Sequence, residues 1–136
     1  MKSKKLLFFI AFSVLIILGL SAYKLAKDPW KVPDTYKSKK NPVASTKQGL
    51  SYGKELYEMS CSSCHGASGK GNGVKAKNLD IELYDLTSAD FQSKFTDGEI
   101  YYQSFIGRYR WHDFRSAVPD EEDRWNVVNY IRSLKK

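Results

Sequence analysis

Hydrophobic and polar positions divide the chain into three stretches. Residues 6–22 run without a charge behind Lys2, Lys4 and Lys5. Residues 24–47 are dominated by Lys, Asp, Ser, Thr and Asn, and Pro29, Pro33 and Pro42 interrupt any helical period there. From Leu50 onward apolar residues return at spacings of three and four. Leu50, Gly53, Leu56, Tyr57 and Ser60 share one face of a helix predicted from about Ser45 or Thr46 to Cys61. A weaker helix follows Thr87 through Ala89, Phe91 and Lys94. Thr96-Asp-Gly-Glu99 has the form of a capping box and opens a helix with Ile100, Tyr101, Ser104 and Phe105, stopped near Gly107. A last helix follows Pro119, with acids at 120–123 and Arg132, Lys135 and Lys136 at its end, as the helix dipole favours. Trp125, Val128 and Ile131, with Tyr130 and Leu134 beside them, form its apolar stripe. No alternating strand pattern is sustained, so the fold class expected is all-α.

The apolar stretch, extended by Tyr23 to eighteen residues, would span roughly 27 Å as a helix, enough for a thin bilayer core. A cleaved signal peptide shares the basic start, but the region before Tyr23 lacks an A-x-A-like pattern, since Leu20 stands two before Ala22. Residues 1–23 are therefore expected to be an uncleaved transmembrane anchor, with a signal peptide as the alternative. Residues 24–45 are expected to be a flexible basic tether, with Trp30 either at the lipid interface or packed on the domain. Residues 46–136 would be the folded domain.

Size and charge narrow the function. The chain has 136 residues and a formal net charge of +7, too few for a barrel or a doubly wound sheet. The charge splits into +8 over residues 1–49 and −1 over residues 50–136. The folded part has no positive excess to neutralise phosphates, so nucleic acid is not an expected partner. A helical core of this size is thin and calls for a staple.

The staple is Cys61-Ser-Ser-Cys64-His65, a C-x-x-C-H motif. Two thiols three positions apart on one turn can add to the two vinyl groups of haem, and the adjacent His can give the iron its proximal nitrogen. A thioredoxin-like pair wants a βαβ context, which is absent. Zinc wants four ligands, and the chain has only Cys61, Cys64, His65 and His112 as Cys or His candidates. Haem is the reading the spacing favours.

With those residues the domain resembles the class I c-type cytochromes, of the monohaem bacterial type, over about residues 46–136. The resemblance is carried by Gly53-Lys-Glu-Leu-Tyr57, Cys61-Ser-Ser-Cys-His-Gly66, Gly69-Lys-Gly-Asn-Gly73, Asp85-Leu-Thr87, Thr96-Asp-Gly-Glu99 and the last helix from Glu122 to Leu134. It implies a small helical domain around one covalent haem c, held by Cys61 and Cys64 with His65 as iron ligand. It also implies a close crossing of first and last helices at Gly53, Tyr57 and Tyr130.

The sequence departs from that family in the loop that usually supplies a distal Met. Here it reads Arg110-Trp111-His112-Asp113-Phe114-Arg115, with Trp111 in the Met place and His112 next. Met59, on the proximal helix, is expected to be core filler. His112 is therefore the candidate sixth ligand; the alternatives are an open iron under Trp111 or another side chain reaching in. Arg108, Arg110 and Arg115 are candidates for pairing with haem propionates, the alternative being a solvated loop. Tyr101, Tyr102 and Trp125 are expected in the core or haem pocket.

The function implied is a non-enzymatic carrier of single electrons, its iron cycling between Fe(II) and Fe(III). Its expected partners are membrane respiratory complexes, from a quinol-oxidising complex to a terminal oxidase or reductase. Its expected place is the bacterial cytoplasmic membrane, haem domain on the outer, periplasmic face. The alternatives are a fixed subunit of such a complex, or a gas-binding or peroxidatic haem domain if the sixth position is open.

Overall fold

In the computed structural model, which describes residues 31–79, 81–107 and 113–136, every regular element is helical. The elements are α1 (Asp34–Lys37), α2 (Lys47–Ser60), α3 (Ser62–His65), a 3₁₀ turn (Ala76–Asn78), α4 (Ala89–Lys94), α5 (Asp97–Phe105) and α6 (Glu121–Ser133).

Local chemistry sets the helix starts. Thr46 caps α2 by accepting from the Gly49 amide, and Ser88 caps α4 by accepting from Phe91. At α5 the Thr96 hydroxyl accepts from the Glu99 amide at 3.2 Å while the Glu99 carboxylate accepts from the Thr96 amide at 2.8 Å. This is the reciprocal box read in the sequence. At α6 the cap is Asp120, whose Oδ1 accepts from the amides of Glu122 and Asp123. Pro119 thus precedes the cap instead of occupying the first turn.

The most extensive helix pairing is α2 against α6. A Cβ on Gly53 would collide with the backbone of Asn126 and come 3.2 Å from the Val127 nitrogen. Only glycine permits this approach, which brings the rings of Tyr57 and Tyr130 to 5.2 Å. Behind the crossing lie Val127, Val128 and Ile131 of α6, Ile100, Tyr101 and Phe105 of α5, and Leu86, Phe91 and Val118. Trp125 is fully buried and stacks on Tyr101 with centroids 4.2 Å apart.

Two arginines on α6 tie the shorter elements to it. Arg132 donates to Asp97 (2.7 Å), to the carbonyl and side-chain oxygens of Gln92 (2.9 and 3.0 Å) and to the Phe95 carbonyl (2.6 Å). It holds the α4–α5 junction, a larger role than complementing the helix dipole. Arg124 likewise donates to Tyr101 Oη, Val118 O and Pro119 O.

Two expectations need correction. Residues 24–45 are not a free tether throughout: Val32–Lys136 form one unit, Val32 is 4% exposed, and Pro33 caps α1 instead of merely interrupting. Tyr36 packs against Tyr101 and Tyr102, which offsets the cost of ordering the strap. Met59 is not core filler: it is 81% exposed, because the face of α2 that meets α6 runs through Gly53 and Tyr57. The anchor expected over residues 1–23 lies outside the described residues. Among the described residues no helix is long and apolar enough to cross a membrane.

Candidate haem-attachment site

Helix α2 ends at Cys61, whose amide donates to the Tyr57 carbonyl at 2.8 Å. The chain kinks there and enters the single turn of α3, where the amides of Cys64 and His65 both donate to the Cys61 carbonyl (3.2 and 3.0 Å). Cys61, Cys64 and His65 thus share one turn and are each partly buried. The two cysteines are free thiols.

This turn is braced from both sides. At Gly66, φ 78°, the chain leaves the helix. The buried Tyr57 hydroxyl donates to the Gly66 carbonyl at 2.9 Å. Burial holds the Tyr57 phenol above its ordinary pKa, so it remains a donor at all physiological pH. The loop of residues 66–75 then folds back over the turn. The amides of Gly71, Gly73 and Lys75 donate to the carbonyls of His65, Cys64 and Ser63, at 2.8, 2.9 and 2.8 Å. A one-turn helix leaves its carbonyls unpaired, and Gly71 and Gly73 of the glycine run, with Lys75 after it, satisfy three of them. Further on, Asp85 Oδ1 accepts from the Thr87 amide (2.8 Å) and hydroxyl (2.7 Å), which also hold its carboxyl below the usual range. The Leu86 amide donates to the Gly69 carbonyl, tying this segment to the loop. These braces connect the sequence runs Gly69–Gly73 and Asp85–Thr87 to the cysteine turn. Tyr57's bond to Gly66 was not read from the sequence; spacing shows a face, not a hydroxyl's partner.

The donor set fits covalent haem. Burial, with Cys64 adding to it, pushes the Cys61 thiol up to about 12. A thioether is uncharged and tolerates that setting, whereas a thiolate metal site would need the charge that burial opposes. Among the described residues no three Cys, His, Asp or Glu side chains are placed to hold a bare metal ion. The outer side of the turn opens on a shallow groove lined by Ser62, Ser63, Ala67, Asn72 and Val74, with no charged side chain in its wall.

Trp111 and His112 lie outside the described residues, as do Arg108 and Arg110. Arg115 is described and is engaged by its neighbour Asp113: Nε donates to Oδ1 at 2.8 Å and Nη2 to Oδ2 at 2.7 Å. The pairing holds the Asp113 carboxyl at about 2, mainly through hydrogen bonding to Arg115. Of the expected aromatics, Tyr101 and Trp125 are buried core and Tyr102 is partly buried beside Tyr36.

An all-helical domain closed by a glycine-mediated helix crossing, with two thiols and an imidazole on the adjoining turn, fits a covalently bound haem. The family model described as Cytochrome c matches residues 50–135, and the chain belongs to the cytochrome c family. The cofactor of that family is covalently bound haem c. No curated protein matches the chain.

Proposed function

We propose that this is a monohaem cytochrome of bacterial type that carries single electrons between membrane respiratory complexes. One observation carries the reading: the only two cysteines of the chain stand in a C-x-x-C-H turn inside the family-matched segment. In this reading Cys61 and Cys64 hold the haem through thioethers and His65 supplies the proximal nitrogen. Bound haem contributes a one-electron couple at its iron. The protein contributes the braced backbone turn that carries Cys61, Cys64 and His65.

The same reading places residues 1–23 as the membrane anchor, with the haem domain on the outer face of the bacterial cytoplasmic membrane. The unbroken apolar run behind three lysines supports it. A quinol-oxidising complex would be the donor and a terminal oxidase or reductase the acceptor.

His112 is proposed as the sixth ligand. Its place beside the position where relatives carry Met supports this, and a bis-His iron has a lower potential than a Met/His one. Trp111 in that position motivates a second reading, a gas-binding haem domain with an open iron. Low-temperature EPR of the purified ferric protein separates the two. A low-spin signal that becomes high-spin in His112→Ala, with rapid carbon monoxide binding to the ferrous variant, supports His112 ligation. A high-spin wild type that already binds carbon monoxide readily rejects it and favours the gas-binding reading.

A further inference from the structure

The start of α6 faces the start of α2 across a cavity of about 420 Å³. Glu122, Asp123 and Asn126 line it from α6, and Gln48, Gly49 and Tyr52 line it from α2. Spacings of three and four put each set on one face of its helix. Among the described residues no basic side chain lines the cavity, and Lys47, at the start of α2, is exposed and outside it. The neighbouring Glu121 is paired with Lys39 at 3.3 Å, whereas among the described residues neither Glu122 nor Asp123 is in an ion pair. Asp123 Oδ2 accepts from the Tyr52 hydroxyl at 3.4 Å, and its charge raises the Tyr52 phenol above its ordinary pKa. Acids in a first turn ordinarily complement the helix dipole. That role accounts for Glu122 and Asp123 but not for Asn126. Asn126 is 6% exposed, and its buried Oδ1 has no hydrogen-bond partner. A buried acceptor without a donor is costly to fold around. This oxygen is directed at Gly49, where a Cβ would sit 2.5 Å from it. Glycine keeps the space in front of the oxygen free of a side chain.

We propose that this cavity is a calcium site, with the carboxylates of Glu122 and Asp123 and the amide oxygen of Asn126 as protein ligands and Gln48 of α2 offering a further amide oxygen across it. Calcium takes six to eight oxygens in flexible geometry, amide oxygens included, at about 2.3–2.6 Å. Those distances are shorter than the roughly 2.7–3.0 Å of a hydrogen bond to water. An ion therefore seats against an oxygen that solvent does not reach. The cavity has room for several waters, each occupying about 30 Å³, to complete the shell. Magnesium demands a near-ideal octahedron and gives up its waters reluctantly. Softer metals seek thiolate or imidazole, and the described wall holds neither. Two carboxylates without an enclosing loop correspond to the weak calcium class, with Kd of about 10⁻⁴–10⁻³ M. An ion held from both helices would cross-link α2 to α6 one turn from the Gly53 contact.

Isothermal titration of the full-length holoprotein with calcium chloride, at fixed ionic strength, tests this. One ion should bind per chain within the range above, and magnesium at the same concentration should not displace it. Glu122→Gln with Asp123→Asn changes two side chains that are not buried, so the haem spectrum should be unchanged while calcium binding weakens at least about tenfold. Asn126→Leu isolates the amide oxygen. It removes a buried acceptor that has no donor, so the urea midpoint of the calcium-free protein should hold or rise. Calcium affinity should nevertheless fall at least about tenfold. Failure of the wild type to saturate below about 10 mM calcium overturns the proposal. So does equal displacement by magnesium, which would mark charge screening alone, or affinity that survives either the double carboxylate variant or Asn126→Leu.

Discussion

At the scale of single residues, the cysteine turn is held by its carbonyls: those of Ser63, Cys64 and His65 accept from the amides of Lys75, Gly73 and Gly71. Cys61→Ser combined with Cys64→Ala should abolish covalent haem, seen as loss of haem staining after denaturing electrophoresis. Retention of the stain would contradict thioether attachment. The Asp113–Arg115 pair makes a separate, pH-dependent prediction. The folded-state pKa of Asp113 lies below the ordinary 3.8, at about 2. Its contribution to stability is therefore fully present above 3.8 and is lost as the pH falls through about 2. Because the pair is partly exposed, with Arg115 open to solvent screening, the effect should be small. Wild type and Asp113→Asn should differ in urea midpoint at pH 6 and converge near pH 2. Cys61, Cys64 and His65 were legible in the sequence because their chemistry demands adjacency along the chain. Met59 was misplaced because one apolar residue on a helix can face either way, and only the course of the α2–α6 contact decides.

Among elements, the crossing of α2 and α6 is the joint on which the site hangs, since Cys61 follows directly from α2. Gly53→Val forces a branched side chain into the Asn126 backbone. It should destabilise the domain by at least about 2–3 kcal/mol, read as a lowered urea midpoint, with reduced yield of holoprotein. Substitution of Arg132 by Met leaves the carboxylate of Asp97 and the carbonyls of Gln92 and Phe95 without that donor. A loss of about 2–4 kcal/mol follows from breaking charged, partly buried hydrogen bonds, whereas Lys135→Met, on an exposed residue, should be nearly neutral. The capping box of α5 and, to within one residue, the start of α2 were legible because capping is local in sequence; Ser88 as the cap of α4 was not read. Arg132's partners were not, since Gln92, Phe95 and Asp97 lie some 35–40 positions away.

For the whole molecule, the polar stretch from Val32 to Ala44 belongs to the folded unit that ends at Lys136. If residues 1–23 are an uncleaved anchor, the protein should stay with membranes through a high-salt wash, and the mature chain should begin at or near Met1. A mature N-terminus near Tyr23 in a soluble fraction would refute this. Of the charge on residues 1–49, +5 lies on residues 1–31 and +3 on residues 32–49, which belong to the folded unit.

The helical class, the Thr96–Glu99 capping box and the haem-attachment motif were determined by sequence alone, because each depends on side chains within a few positions of one another. The tertiary structure decided where polar, proline-broken segments go. Composition made residues 32–45 look like a tether, since few of them are apolar. They are ordered because Tyr101, Trp125 and Asn129, distant in the chain, offer rings and amide groups that exist as a surface only once α5 and α6 have packed.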